Sequence, residues 1–260
     1  MTGDERPTTF TPGDSEYSFN FRLPTDLPSS FELLDIYSRT AERLRVQIKY
    51  QISVWIRADS DSVAYLQAEQ KFTVHASPTI TPPTRALEIS ASELVHWLYC
   101  IKVGSLQVTI EVPKDVYVAG EAVPLLCRVN GSACKASVKS ISVELVEDTV
   151  LRNLGERPDW TVTRVLSTQH VVGPGAGHSG EQVVNVGLVE NEKQHPTNPD
   201  TVSHFFRCTH RLVVRCKPFM AQTIVTEVPV RVMHHNTSFR ARAVRVLRMP
   251  AEAMSGSKSP

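Results

Sequence analysis

The feature that most constrains this chain is a strict two-residue alternation of apolar and polar side chains. Val46, Ile48, Tyr50, Ile52, Val54 and Ile56 form an unbroken even-numbered apolar face, with Arg45, Lys49 and Arg57 among their polar neighbours. The pattern recurs at Val108, Ile110 and Val112, at Val123 to Val129, at Ile141, Val143 and Leu145, at Leu212, Val214 and Cys216, and from Ile224 to Val232. Successive side chains of an extended strand point to opposite faces, so alternation marks a strand with one face buried and the other wet, as in antiparallel sheets. The density of Val, Ile and Thr agrees. Ala119–Gly120 and Asn130–Gly131 punctuate the strands as turns do. The expected fold is all-β, built from antiparallel, immunoglobulin-like β-sandwiches rather than a parallel α/β sheet. Helical spacing is confined to Ser90–Cys100, where Leu94, Val95 and Leu98 could line one side of a short helix.

Composition narrows the functional classes. The chain has 260 residues, 41% hydrophobic and 21% charged, with a formal net charge of +1. Such usage excludes a wholly disordered chain and a strongly basic nucleic-acid binder. No apolar run approaches the roughly 20 residues that a membrane-crossing helix needs. The opening MTGDERPTTFTPGD is polar and acidic where a secretory signal would be basic and then apolar, so a cytoplasmic protein is expected. Cys100, Cys127, Cys134, Cys208 and Cys216 are scattered without C-x-x-C spacing and read as reduced, mostly buried thiols. The near-zero charge conceals an asymmetry. From His204 onward ten Lys/Arg face two acids, leaving 18 basic and 25 acidic residues in the rest of the chain. A split of this kind suggests an oriented surface.

Two separated stretches carry a family resemblance. The first is EYSFNFRLPTDLPSSFE at 16–32, followed by LRVQIKYQISVWI at 44–56 and KFTV at 71–74. The second is GSLQVTIEVPKDVYVAGEAVPLLCRVNGSACKASVKSISVELVED at 104–148, with HRLVVRC at 210–216 and TIVTEVPVRV at 223–232 after it. Together they resemble the arrestin-domain family, in its α-arrestin branch, over residues 16–75 and 104–232. Physically, Phe19, Phe21 and Leu23 alternate toward a core, Pro24 and Pro28 end the strand, and Ser29 and Ser30 can bond turn backbone before Phe31 re-enters the core. Tyr117-x-x-Gly120–Glu121 reads as a strand, a turn that needs glycine's freedom, and a second strand. These roles are structural, so the motifs speak to fold first and to function through family membership.

The resemblance implies an organisation. Residues 1–15 are expected as a flexible N-terminus and 16–77 as a partial N-terminal sandwich. A proline-containing linker is expected over 78–103, from SPTITPPTR at 77–85, where three prolines exclude helix and central strand. The C-terminal sandwich is expected over 104–248 and a flexible tail over 249–260. Family members normally have several strands before the S-F-x-F motif. About 15 residues precede it here, so an incomplete first domain, or one completed by missing sequence or another chain, is expected.

Signs of catalysis are sparse. Cys208, His210 and Cys216 share parity, so a strand would present them on one face, but C-x-x-C and H-E-x-x-H spacings are absent. The preferred reading is two core cysteines and an exposed histidine, and no metal or cofactor is expected. The glycine-rich GPGAGHSG at 173–180 lacks the G-K-[ST] of a phosphate loop. No G-x-S-x-G elbow or recognisable Cys/His signature is present. Glu147–Asp148 and Glu190/Glu192 are expected on solvated surface, 190–203 as an exposed loop, and Trp55, Trp97 and Trp160 as core or interface anchors. No enzyme is expected.

What remains is a binding protein. The resemblance implies a non-catalytic adaptor or scaffold in membrane-protein trafficking that recognises cytoplasmic tails of membrane proteins or trafficking proteins, leading to endocytosis or endosomal sorting. An alternative keeps the fold as a structural subunit of an endosomal, retromer-like coat, and a ligand-binding sandwich is a third reading. Arg240, Arg242, Arg245 and Arg248 are candidate contacts for phosphate or anionic lipid, since guanidinium groups pair with phosphate bidentately. The competing explanation is a charged, protected sheet edge. Lys49 and Arg57 are candidate cargo contacts. Peripheral association with plasma membrane or endosomes follows from the same expectation. The sole Pro-Pro, Pro82–Pro83, is followed by Thr84 and Arg85 rather than a Pro-Pro-x-Tyr sequence, so recruitment of a WW-domain ubiquitin ligase by that route is not supported.

Overall fold

A computed structural model describes residues 21–24, 27–37, 43–56, 66–75, 84–98, 100–152, 159–190 and 195–234. In chain order the strands are β1 (Phe31–Tyr37), β2 (Arg43–Ile48), β3 (Tyr50–Ile56), β4 (Leu66–Phe72), β5 (Leu87–Trp97), β6 (Ile101–Val112), β7 (Val116–Val118) and β8 (Ala122–Asn130). They continue with β9 (Val138–Leu151), β10 (Trp160–Val171), β11 (Ser179–Gly187), β12 (Val189–Glu190), β13 (His195–Pro196), β14 (Thr201–Val202), β15 (Phe206–Pro218) and β16 (Ile224–Met233). Among the described residues no helix is long and apolar enough to cross a membrane.

Two sheets make the main body. One runs β11-β8-β6-β5, the other β10-β9-β15-β16-β7 with β14 added to β15. The pairings are antiparallel except β7 beside β16. Alternation decides which side chains meet between the sheets. Leu106, Val108 and Ile110 of β6 and Val123, Leu125 and Cys127 of β8 join Ile141, Val143 and Leu145 of β9 and Leu212, Val214 and Cys216 of β15 in one buried cluster. Each of these is essentially inaccessible to water. The all-β, antiparallel sandwich expected from the sequence is the architecture found.

Residues 25–48 and 73–237 form one compact unit; 1–24, 49–72 and 238–260 form another, represented among the described strands by the β3–β4 hairpin. The expected first domain at 16–77 is therefore divided. Its β1–β2 hairpin belongs with the sandwich, where Phe31, Leu33 and Val46 build a second buried cluster with Phe206 and Cys208 of β15. Ser30 does not close a local turn. Its N–H donates to the Val74 carbonyl at 2.8 Å, and its hydroxyl accepts the Val74 N–H at 2.9 Å. Phe21 and Leu23, expected to point into a core, are exposed at 49% and 39%.

Two further expectations are corrected. Ser90–Cys100 is not a helix, and the segment 78–103 expected as a linker contains the whole of the 11-residue strand β5 and the first residues of β6, paired from Leu87↔Val112 to Trp97↔Ile101. The long-range partner decides. An isolated helix of that length is marginal in water, whereas β6 offers a full ladder of backbone bonds. The Tyr117–Glu121 turn is as read. Gly120 sits at φ 89°, Tyr117 is fully buried, and the Glu121 carboxylate accepts the Val118 N–H at 2.9 Å and the Lys114 ammonium at 2.5 Å. The Lys114 ammonium lies 4.6 Å from the Tyr117 ring centroid, a cation–π contact that ties the turn to the core.

Candidate functional site

The apolar face that alternation places between the sheets leaves their ends to be closed by hairpin turns, and at one end the closure is incomplete. The β5–β6 turn and the β15–β16 turn meet there, with the Leu98 N–H donating to the Met220 carbonyl at 3.2 Å. Leu98 (φ 49°) and Met220 (φ 52°) are the two non-glycine residues with positive φ among those described. Left-handed backbone at such side chains is disfavoured and persists only where the surroundings impose it. Leu94, Trp97, Leu98, Ile101, Phe219 and Met220 are each between 40% and 56% exposed. Beside them a cleft is lined by Glu93, Leu94, Val95, His96, Gln222 and Ile224. Among the described residues β5 is also an edge of its sheet, so its outer backbone ladder runs up to the same patch. Clustered exposed apolar side chains mark interaction surfaces more often than solvated ones.

A second constellation is buried. Along β9 the inward series Ile141, Val143, Leu145 continues into Glu147 and Thr149, and along β15 Leu212 is preceded by His210 and Cys208. Register sets His210 opposite Glu147 and Cys208 opposite Thr149, while β10 places Arg164 on Glu147's other side. This polar row lies between the sandwich core and the cluster under the β1–β2 hairpin. Arg164 donates to Glu147 Oε1 through Nε at 3.0 Å, with Nη2 2.9 Å away. His210 Nδ1 lies 2.7 Å from Asp200 Oδ1, which also accepts the Val232 N–H at 3.2 Å. The Asn198 amide donates to Glu147 Oε2 at 3.4 Å.

Electrostatics follow from this arrangement. Burial alone would lower the His210 pKa, but the Asp200 and Glu147 carboxylates outweigh it and raise the ring to about 9. Burial works to raise Glu147; His210 and Arg164 overcome that and hold its carboxyl below the usual range. Burial, with the Glu147 charge adding to it, pushes the Cys208 thiol up. Cys127 and Cys216 are likewise pushed up by burial, to about 11 and about 12. Cys100 is exposed and Cys127, Cys134, Cys208 and Cys216 are buried, as expected of mostly buried thiols.

The sequence-derived candidates fare differently. Cys208, His210 and Cys216 do share one buried face, but Cys216 belongs to the sandwich core six residues away. His210, expected to be exposed, is 3% accessible. Glu147, expected on solvated surface, is 1% accessible; the signal that would have found it is its place two residues beyond Leu145 in the inward series. The 190–203 segment is not simply an exposed loop, since Thr197 and Thr201 are buried and Asp200 anchors His210. Lys49 is exposed between β2 and β3. Arg57, Arg240, Arg242, Arg245 and Arg248 lie outside the described residues.

Comparison with known proteins follows the sandwich. Residues 102–237 match the family model described as arrestin (or S-antigen), C-terminal domain. None of the curated proteins matches the chain. Among solved structures, the sporulation control protein Spo0M from Bacillus subtilis is similar with a TM-score of 0.39 and 16% identity, over 49% of this chain and 49% of that one. The chain thus spans about half the length of that structure.

Proposed function

The chain belongs to the arrestin C-terminal domain family, and from that premise we propose that it is a non-catalytic adaptor in membrane-protein trafficking. In this reading it recognises cytoplasmic tails of membrane proteins, or trafficking proteins bound to them, in endocytosis or endosomal sorting. The observation that carries the reading is the apolar patch where Leu98 and Met220 meet, next to the outer ladder of β5. Burying exposed Trp, Phe, Leu and Met side chains supplies the anchors of a protein interface, and an edge strand can add backbone bonds to an extended tail. Work of this kind needs complementarity rather than bond making.

Arg240, Arg242, Arg245 and Arg248 would orient such an adaptor against an anionic cytoplasmic surface, at about 1 kcal/mol per basic residue near it. A cytoplasmic protein with peripheral association to plasma membrane or endosomes is the corresponding location. Proximity labelling from the full chain in cells, compared with a Leu98→Asp/Met220→Asp variant, tests the reading. Trafficking proteins and membrane-protein tails should be enriched around the parent chain and lost with the variant at unchanged thermal stability. An identical set of neighbours for the two chains would refute the patch as the docking surface.

A further inference from the structure

The buried row between the two apolar clusters contains more ligand atoms than an ion pair needs. One donor atom each from Glu147, Cys208 and His210 lies within 4.8 Å of the others, and all three residues are buried. His210 Nε2 is buried with no hydrogen-bond partner. It stands 3.7 Å from Glu147 Oε2, too far for a hydrogen bond, and the His210 side chain is wholly inaccessible. Burying an unpartnered polar atom is costly, so such an atom calls for an explanation.

The geometry points to a zinc site formed by Glu147, Cys208 and His210. Zinc bonds to nitrogen, oxygen and sulfur run from about 2.0 to 2.3 Å, which sets tetrahedral ligands roughly 3.3–3.8 Å apart. The 3.7 Å between His210 Nε2 and Glu147 Oε2 already falls in that range. A pair at the outer limit of 4.8 Å needs about 1 Å of closure to reach that spacing. Mixed imidazole, thiolate and carboxylate donors suit zinc.

The surroundings match as well. Asp200, 2.7 Å from Nδ1, holds the ring with Nε2 toward Glu147, the carboxylate–histidine arrangement that supports metal-bound imidazole. Arg164 binds Glu147 through Oε1, while Oε2 faces His210 and takes only the long 3.4 Å bond from the Asn198 amide. Thr149 stands opposite Cys208 in register and adds a buried polar oxygen beside the cluster. Nothing in the alternation of β9 and β15 requires Glu, His and Cys at these three inward positions, where the rest of both faces is apolar apart from Thr149.

The test is metal uptake by the purified full chain, stripped with a chelator and then titrated with Zn²⁺ or Co²⁺. One equivalent of zinc per chain is expected, with a rise in Tm that the chelator reverses. Cobalt should give visible bands of a tetrahedral site and a thiolate charge-transfer band. Cys208→Ala should abolish that band, Asp200→Asn should weaken affinity about 10- to 100-fold, and Cys216→Ala should leave uptake intact. If Cys208→Ala does not fold, the near-isosteric Asp200→Asn decides. Failure of the parent chain to take up either metal, or uptake unchanged in Asp200→Asn and Cys208→Ala, overturns the site.

Discussion

At the scale of single residues, Gly104 shows how closely this sandwich is fitted. It lies in β6 at φ 133°, and a Cβ there would stand 1.8 Å from the Ala133 carbonyl oxygen. Both the backbone conformation and the close approach exclude a side chain. Gly104→Ala should lower unfolding free energy by about 2–4 kcal/mol in urea titration. His234 offers a test by pH. Burial, reinforced by the His75 ring 4.2 Å away, lowers its pKa to about 4, against the opposing contact with Ser30 backbone. An unfolded histidine titrates near about 6.5. Between pH 6.5 and 4 the unfolded chain therefore binds a proton that the native ring refuses, and stability falls as pH drops through that window. The loss should be on the order of 2 kcal/mol. Stability measured across the window should be flatter in His234→Gln than in the parent chain; equal slopes would contradict the assignment.

At the scale of elements, the informative pieces are those whose partners lie far away in sequence. β5 has the spacing of a short amphipathic helix in isolation and becomes a strand because β6 pairs with it. Of the β1–β2 hairpin, Val46 and Ile48 were legible as the start of one alternating run to Ile56, but neither the break between β2 and β3 nor the attachment to Phe206 and Cys208 of β15 could be read from local pattern. Phe31 and Phe206 have ring centroids 4.7 Å apart, and Phe31 is 3% accessible. Phe31→Ala should cost about 3–5 kcal/mol of the local packing. Hydrogen exchange should then quicken in 31–37 and 43–48 while β6 and β8 keep their protection. Uniform acceleration through the molecule would show instead that hairpin and sandwich open together. The candidate sites divide in the same way. Cys208 and His210 were visible as a same-face pair, but Glu147, Arg164 and Asp200 join them only through register and a returning loop.

At the scale of the whole molecule, stability resides between the sheets. Leu145 is fully buried beside Leu212 of β15 and belongs to the cluster that joins both sheets. Leu145→Ala should destabilise by about 2–5 kcal/mol, with fluorescence and circular dichroism transitions shifting together. By contrast, the ion pairs on sheet surfaces, such as Arg215 with Glu144 and Arg45 with Glu32, are solvent-accessible and contribute about 0–1 kcal/mol each. The sequence by itself determined the fold class, the alternating strands β6, β8, β9, β15 and β16, and the Gly120 turn, because two-residue periodicity and turn chemistry are local properties of the chain. Only the tertiary structure decided that Ser90–Cys100 is extended, that Glu147 and His210 are buried together, and that Leu98 and Met220 share an exposed patch. Each of those depends on strand register and on which turns meet at one end of the sandwich. Contacts of that kind are set by residues scores of positions apart, and no local pattern records them.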